Sequence, residues 1–437
     1  MKNIRKIICV LLAAVMLFAL TACDEATEQT ATTATTTAAA KETTTTAAAA
    51  ETTAAATEEA AKEIELKALK VGVLREDDSS GEALAWEAYM KTVGAELNIT
   101  FDFITTDSST AEVSAINTYA SKGYDAIFSY SDDDVLAQVQ AAQSNEMYIA
   151  IPTGQPTDEI YQQIKDLSYY LGNTAPNDDI EYQAGYDMAK YFVEQREQAN
   201  FTIFGGATCW AVSMHVQRLV GILAYLCEDE GTDYDGAKTR WDLVAKVAGQ
   251  GVDPAKFNSS KYVISGYMDG FDFDDAFSTK LTNSLNAGGT CVLAVGATDA
   301  VTGIGYGITQ QLGTENFMTG GVDAITDAYT DYFYIGYSYD CGKYASAVAP
   351  AIILLESAVN GQKITEADGS APMVAMNYWV ADSLDTFNEI LSVDNADNGY
   401  CYNAAVIKKY IGASLEDFTA LCAADYNTSK TISASVN

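Results

Sequence analysis

Residues 69–106 read LKVGVLREDDSSGEALAWEAYMKTVGAELNITFDFITT and show the pattern that decides the fold. A short apolar run precedes a stretch whose apolar residues recur at helical spacing from Trp86 to Leu97, and a second apolar run follows. The segment therefore predicts strand, helix, strand. Such units repeat along the chain and restart at SYYLGN, residues 168–173, which predicts right-handed crossovers and two successive α/β domains with parallel sheets.

The composition limits the partners of the chain. Its 437 residues are enough for two or three domains, and an apolar content of 48% is sufficient for a large core. The 60 acidic residues outnumber the 25 basic ones, which gives a formal net charge of −35. Because a surface this acidic repels phosphate backbones, we expect no nucleic-acid partner.

Residues 1–23 have the composition of a secretion signal peptide. Basic residues open the segment, and an apolar stretch that is short for a membrane span follows. The next residues, Leu20 to Cys23, resemble the lipobox of bacterial lipoproteins. This resemblance implies that Cys23 is diacylated and becomes the mature N-terminus, which anchors the protein to the lipid bilayer. The alternative is an ordinary signal peptide with an incidental cysteine.

Residues 24–63 consist almost entirely of Thr, Ala and Glu. Because the segment has no bulky apolar side chains to bury, we predict a disordered tether between the anchor and a folded body. No later stretch approaches about 18 consecutive apolar residues, so the sequence predicts no further membrane span.

Six cysteines lie in the body of the chain, and none forms a Cys-x-x-Cys motif. A zinc or redox motif therefore has no support. Export permits disulfides, and Cys401 with Cys422 is one conceivable pair. Buried free thiols are the favoured alternative, because free cysteines are commonly buried.

The order of elements, the lipobox and several motifs together resemble the type I periplasmic binding proteins, the solute receptors of bacterial ABC importers, and especially their sugar-binding branch. The resemblance covers about residues 67–380. It implies two Rossmann-like lobes with parallel sheets, joined by a hinge of three crossovers. By this resemblance residues 67–173 plus 324–372 form the N-terminal lobe, and residues 174–323 plus 373–437 form the C-terminal lobe. Residues 231–258 fit poorly and are interpreted as an insertion.

The resemblance also implies a function. The protein is expected to capture a small polar ligand, a sugar in the first instance, in the interlobe cleft and to deliver it to an ABC permease. A sensor for a signalling partner, a binder of nucleosides or other polar solutes, and a carbohydrate-active enzyme are the alternatives. Repressors of the same fold carry an N-terminal helix-turn-helix, and a signal peptide and tether occupy that position here, so we reject a DNA-binding function.

The stretch VLAVGATDAVTGIGYGITQQL, residues 292–312, has glycines that suggest a dinucleotide loop. The spacing is wrong for Gly-x-Gly-x-x-Gly, because Ile308 occupies the sixth position. Instead Asp299, Gly303 and Gly305 match a pattern of the sugar-binding family, which implies that Asp299 contacts the ligand. A carboxylate there accepts hydrogen bonds from two hydroxyl groups, and capping of the following helix is the alternative role.

Two further motifs of the second lobe resemble family contacts. GGVD, residues 320–323, matches a Gly-aromatic-Asp motif except at Val322, which implies that Asp323 is a second hydroxyl acceptor. QRLVG, residues 217–221, matches Arg-x-x-Gly, which implies that Arg218 presents a fork of donors to the ligand. A helix cap and a surface arginine, respectively, are the alternatives.

The remaining candidates come from strand ends and from weaker alignment with the family. Asp77 and Asp78 follow the first strand, where the family has Asn and aromatic residues, and helix capping is their alternative role. Trp210 stacks on a sugar face or packs in the core. The other candidates for ligand contact are Tyr130, Thr153, Gln155, Asn173, Phe271, Phe273 and Tyr337.

The sequence gives no support for an enzyme, a cofactor or a metal. The single histidine, His215, has no visible nucleophile beside it, and Gly-x-Ser-x-Gly is absent. Acid–base chemistry by carboxylates stays open on sequence alone. Residues 269–275 and 394–399 resemble calcium loops but lack the complete pattern. We therefore predict a binding protein that makes and breaks no bond.

Overall fold

The computed structural model describes residues 66–131, 133–207, 213–270 and 272–436. The predicted signal peptide with Cys23, the predicted tether, Trp210 and Phe271 lie outside these residues. Within the described part of the chain, no helix combines the length and apolar character that a membrane span requires.

Strands and helices alternate through most of the chain. The strands are β1 (Leu69–Arg75), β2 (Ile99–Thr105), β3 (Ala126–Ser129), β4 (Tyr148–Ile151), β5 (Tyr170–Ala175), β6 (Asn200–Gly205), β7 (Val263–Asp269), β8 (Cys291–Ala294), β9 (Met318–Ile325), β10 (Tyr337–Tyr344), β11 (Met373–Ala375) and β12 (Trp379–Ala381). The helices are α1 (Gly81–Leu97), α2 (Ser109–Ser121), α3 (Val135–Ser144), α4 (Asp158–Ile164), α5 (Asp178–Glu194), α6 (Ser213–Glu230), α7 (Arg240–Val247), α8 (Asp275–Asn286), α9 (Thr298–Leu312), α10 (Ala349–Val359), α11 (Leu384–Val393), α12 (Ala404–Tyr410), α13 (Leu415–Cys422) and α14 (Tyr426–Ala434).

The strands form two sheets of six with matching orders, β11-β5-β4-β3-β1-β2 and β12-β10-β9-β8-β6-β7. Every pair in the first sheet is parallel, and in the second sheet only β12 runs antiparallel to its neighbour β10. In each sheet the first strand lies between the second and the third. The order in which successive strands join the sheet therefore reverses there, which opens a crevice at the carboxyl ends of the strands.

Local chemistry sets the helix ends. The Ser80 hydroxyl accepts the amide of Ala83 at 3.1 Å and begins α1, and Asn98 ends it in the left-handed conformation at φ 60°. In the sequence, Ser109 and Glu112 have the spacing of a capping box, which predicts Ser109 as the cap of α2. The observed cap of α2 is Ser108, one residue earlier, whose side chain accepts the amide of Ala111 at 3.4 Å.

Helices α5 and α6 pack in close contact because glycine lies at the crossing. A Cβ on Gly221 would lie 2.1 Å from the Tyr182 carbonyl oxygen, and one on Gly185 would lie 1.9 Å from the Arg218 carbonyl oxygen. Only hydrogen fits in these two places. The close approach brings the Arg218 side chain of α6 within reach of Glu181 on α5.

The predicted lobe boundaries need two corrections. The second crossover was expected after Asp323, but strand β10 pairs with β9 in the second sheet, so the chain leaves that sheet only after Tyr344. Residues 373–437 were assigned to the C-terminal lobe. Helices α12 and α13 instead pack on α10, and β11 pairs with β5, so much of this segment completes the first lobe. The apolar faces of these short helices fit either lobe, and only long-range contacts decide between them.

Residues 231–258, interpreted from the sequence as an insertion, extend the core of the second lobe. They contain α7, and Tyr234, Leu243 and Val247 are buried in the same cluster as the apolar face of α6. The prediction of buried free thiols is confirmed for the five described cysteines of the body; Cys209 lies outside the described residues.

Candidate functional site

The crevice at the carboxyl ends of the two sheets contains two adjoining cavities of about 190 and 340 Å³. Side chains from both lobes line it. Those that border both cavities are Glu76, Glu82, Tyr130, Thr153 and Lys343. The larger cavity is also bordered by His215, Arg218, Asp323 and Tyr378 from the second lobe or the last crossover.

An aromatic pair forms the wall on the first lobe. The rings of Trp86 and Tyr130 lie 4.4 Å apart at 33°, and the Trp86 indole N–H donates to the Tyr344 carbonyl at 3.2 Å. Lys343 Nζ lies 5.2 Å from the Trp86 ring and 3.7 Å from Glu82 Oε1. Since Lys343 belongs to the second sheet and Glu82 to the first lobe, this ion pair connects the two lobes.

Asp77, a predicted contact, organises the turn after β1. It accepts hydrogen bonds from the amide of Ser79 at 3.0 Å, the hydroxyl of Ser79 at 2.9 Å and the amide of Ser80 at 2.8 Å. Although burial raises its pKa, these hydrogen bonds lower the pKa to about 2, so the carboxylate is ionised. Asp77 borders the smaller cavity, whereas Asp78 is exposed and does not border either one.

Arg218 lies at the floor of the cleft with its donors already in use. Its Nε and Nη2 donate to the two carboxylate oxygens of Glu181 at 2.6 and 3.2 Å. Its Nη1 donates to the carbonyls of Val295 and Val322 at 2.7 and 3.3 Å, and Nη2 also donates to the Tyr378 hydroxyl at 2.7 Å. A guanidinium has five N–H donors, and five are engaged. This arrangement favours a positioning role for Arg218 over the predicted ligand contact.

Asp323 connects the end of β9 to the start of α9. Its Oδ2 accepts the Thr298 amide at 2.8 Å, so this carboxylate, rather than the predicted Asp299, satisfies an amide of the first turn of α9. Burial raises the pKa of Asp323 to about 7, and the charges of Asp299 and Glu82 contribute to the rise, whereas the Thr298 amide and Arg218 oppose it. Asp323 is therefore the acceptor on the second lobe whose protonation changes near neutral pH.

Asp299 lies in the first turn of α9, and its side chain makes no capping hydrogen bond. It is half-buried and does not border either cavity, so its predicted ligand contact stays a prediction. His215 borders the larger cavity, and burial, together with the charge of Arg218, lowers its pKa to about 3. The imidazole is therefore neutral at physiological pH.

The other predicted contacts divide into two groups. Tyr130 and Thr153 border both cavities, and their contact with a ligand stays a prediction. Four others support the structure around the cleft and do not border it. Gln155 donates to the Ala175 carbonyl at 2.9 Å, buried Asn173 donates to the Gly154 carbonyl at 2.9 Å, Phe273 packs on Phe204 and Phe277, and buried Tyr337 packs on Phe333.

Sequence reasoning missed several residues of the cleft. Glu76 directly follows β1, and its position at a strand end is a signal that was available. Glu82 and Trp86 lie on the first two turns of α1, where the regular helical pattern suggested only packing. The sequence around Lys343 did not indicate a cleft residue, because the position of Lys343 depends on β10 joining the second sheet.

A group of carboxylates extends from the cleft into the first lobe. Side-chain oxygens of Glu76, Glu112 and Asp133 all lie within 4.8 Å of one another. Glu112 is buried, and its Oε2 accepts a hydrogen bond from the side-chain amide of Gln138 at 2.8 Å. The group concentrates negative charge at the edge of the cleft.

By sequence the chain matches no family model and no curated protein. Several solved structures match its fold. A periplasmic sugar-binding protein from Pseudomonas fluorescens aligns with a TM-score of 0.56 at 11% identity, over 84% of this chain and 99% of its own. An ABC transporter periplasmic solute-binding protein from Actinobacillus succinogenes, with bound D-allose, aligns with a TM-score of 0.53 at 16% identity, over 73% of this chain and 99% of its own. A galactofuranose-binding protein aligns with a TM-score of 0.50 at 15% identity, over 74% of this chain and 96% of its own.

The alignments and the two matching sheets define the class. The chain has the α/β fold of the type I periplasmic binding proteins, and the fold predicted from the sequence is confirmed. The similar proteins align over nearly their whole length, so the match covers both lobes and the crossovers between them.

Proposed function

We propose that this protein is an extracytoplasmic solute-binding protein that captures a sugar in the cleft and passes it to an ABC import permease. The observation that carries the proposal is a cleft bordered from both lobes, with the Trp86–Tyr130 pair on one wall and Asp323 on the other. Aromatic faces pack on the apolar faces of sugars, and carboxylates accept hydrogen bonds from hydroxyl groups. The bound D-allose and the galactofuranose binding of proteins with this fold support the same ligand class.

Ligand binding is expected to close the lobes, because one ligand then contacts residues on both. In thermal-shift screening a sugar that binds the native state raises the melting temperature. Asp323→Asn should weaken that sugar about ten- to a hundredfold, since it removes a charge-assisted hydrogen bond. Calorimetric titration measures the loss.

Asp397→Asn is the matched control, because Asp397 is an exposed aspartate that does not border the cleft. Its affinity should equal that of the wild type. A confirmed sugar that binds Asp323→Asn with unchanged affinity contradicts this site. A panel of sugars without any thermal shift contradicts the proposed ligand class.

We infer that Cys23 anchors the protein to the outer face of the cytoplasmic membrane, on the strength of its lipobox-like sequence. In cells, Cys23→Ala should move the protein out of the detergent phase in phase partitioning or block its maturation. Cys9→Ala is the matched control, because it changes a cysteine of the apolar segment and leaves residues 20–23 intact. Unchanged partitioning of the Cys23 variant excludes the anchor.

A further inference from the structure

We propose that the ligand of this cleft carries a protonated amino group beside its hydroxyl groups, as an amino sugar does. The inference rests on the proposed function and narrows its ligand class. Two features of the cleft carry it: the pairing of the basic side chains that border it, and the surplus of carboxylates around it.

The basic side chains that border the cleft, as far as the described residues show, already lie against carboxylates. Arg75 Nη1 lies 2.6 Å from Glu87 Oε2. Lys343 Nζ lies 3.7 Å from Glu82 Oε1. The guanidinium of Arg218 has all of its donors engaged, as described above. An acidic group on a ligand would therefore have to compete with an existing partner at Lys343 and Arg218, whereas the buried Nε of Arg75 has no hydrogen-bond partner among the described residues.

Carboxylates outnumber these three bases. The acidic residues at the cavities are Glu76, Asp77, Glu82 and Asp323, and those paired behind the two arginines are Glu87 and Glu181. Lys91 also forms an ion pair with Glu87, so when all six carboxylates are ionised their surplus over the four bases is two negative charges. The internal residues outside the described ranges, 132, 208–212 and 271, include no Lys or Arg that would offset it.

Two of these carboxylates repel one another. Glu82 comes from the first lobe and Asp323 from the second, and the charge of Glu82 contributes to the raised pKa of Asp323. A neutral sugar leaves this repulsion in place, and an acidic sugar adds to it. An ammonium group between the lobes reduces this repulsion and donates charge-assisted hydrogen bonds to the carboxylates. The affinity for the ligand therefore depends on the charge of the ligand.

Tyr130 supplies a further group that suits such a ligand. Its hydroxyl is buried at the cleft and accepts or donates no hydrogen bond within the described residues. Burial and the charge of Glu82 raise its pKa, so the hydroxyl stays protonated. It can accept a hydrogen bond from an ammonium group or donate one to a ligand hydroxyl.

The test uses matched sets of sugars that differ in a single charge. D-Glucose, D-galactose and D-mannose are each compared with the 2-amino, 2-acetamido and uronic acid forms by thermal shift and calorimetry on the full chain. For at least one ring we expect the amino form to bind about ten- to a hundredfold more tightly than its acetamido form. The advantage should shrink at high salt, because salt screens the charges.

A pair of variants on helix α1 tests the source of the selectivity. Glu82→Gln removes a cleft charge and should reduce the preference for the amino form about tenfold or more. Glu96→Gln makes the same substitution at an exposed position of the same helix and should leave the preference unchanged.

The outcomes separate this inference from the proposed function. Equal or tighter binding of the neutral or acidic forms overturns the amino ligand and leaves sugar binding standing. The absence of binding by every sugar overturns both. If calcium or magnesium chloride raises the melting temperature and the amino sugars do not, the carboxylates bind a metal cation and the inference is overturned.

Discussion

Arg218→Ala should lower the free energy of unfolding by about 3–5 kcal/mol, the usual cost of removing one partner from a buried ion pair. The substitution leaves the Glu181 carboxylate buried without its counter-ion, and it takes a donor from the carbonyls of Val295 and Val322. These partners belong to α5, to the turn after β8 and to β9. The guanidinium therefore links three parts of the second lobe beneath the cleft through hydrogen bonds and an ion pair. Urea denaturation of wild type and variant measures the difference.

Two controls separate a structural role from a ligand contact. Arg196→Ala removes an exposed arginine and should cost less than about 1 kcal/mol. Replacing both Arg218 and Glu181 by Met removes the charges together, and the double variant should recover much of the stability lost in Arg218→Ala. Arg218→Ala with wild-type stability and weakened sugar binding would restore the ligand contact predicted from the sequence.

Asp340→Asn should raise the free energy of unfolding at pH 8 by about 1–3 kcal/mol, because a buried polar group without partners is costly and a charged one more so. Asp340 is fully buried on β10, and among the described residues neither carboxylate oxygen accepts a hydrogen bond of ordinary geometry. Burial raises its pKa well above 3.8, and the charge of Asp323 adds to the rise, whereas the neighbouring Tyr337 hydroxyl opposes it.

The gain from Asp340→Asn should depend on pH in a defined direction. Between the unfolded pKa of 3.8 and the raised folded pKa, the folded state binds more protons at Asp340 than the unfolded state does. The stability that the protonated carboxyl contributes is therefore complete below pH 3.8 and is lost as the pH rises. Urea denaturation should show little difference between variant and wild type near pH 4 and an increasing difference up to pH 8.

Asp397→Asn serves as the control for that experiment, because its side chain is exposed. Its stability should follow the wild type at every pH. A destabilised Asp340→Asn at pH 8 would mean that the Asp340 carboxylate has a compensating partner in solution, and the pH argument would then be wrong.

The position of Asp340 has a bearing on function. It lies on the last parallel strand of the second sheet, close enough to Asp323 for their charges to interact, and the chain crosses to the first lobe a few residues later. A cation in the cleft favours the ionised form of Asp323. Binding and the protonation of these buried acids are therefore linked, and the amino ligand should bind more tightly as the pH rises towards about 7, over the range in which its own amino group stays protonated.

The sequence by itself determined the fold class of this protein. Apolar residues at helical spacing from Trp86 to Leu97, between two apolar runs, are properties of near neighbours in the chain, and they need no knowledge of distant contacts. The position after a strand suggested Asp77 as a cleft residue, and resemblance to the sugar-binding family suggested Tyr130 and Asp323; residues that follow or end parallel strands meet at one edge of a sheet. Secondary structure and the parallel α/β class therefore follow from local spacing, whereas the positions of the crossovers between the lobes do not.

Only the tertiary structure decided which of these groups has a partner. Arg218 and Val322 lie far apart in the sequence, yet the Arg218 guanidinium donates a hydrogen bond to the Val322 carbonyl. This contact uses a donor that the sequence led us to expect for the ligand. Lys343 meets Glu82 only because β10 joins the second sheet. Hydrogen bonds and ion pairs depend on distances between residues remote in the chain, and no local pattern records those distances. The charge balance of the cleft, and with it the expected ligand, follows from the folded contacts.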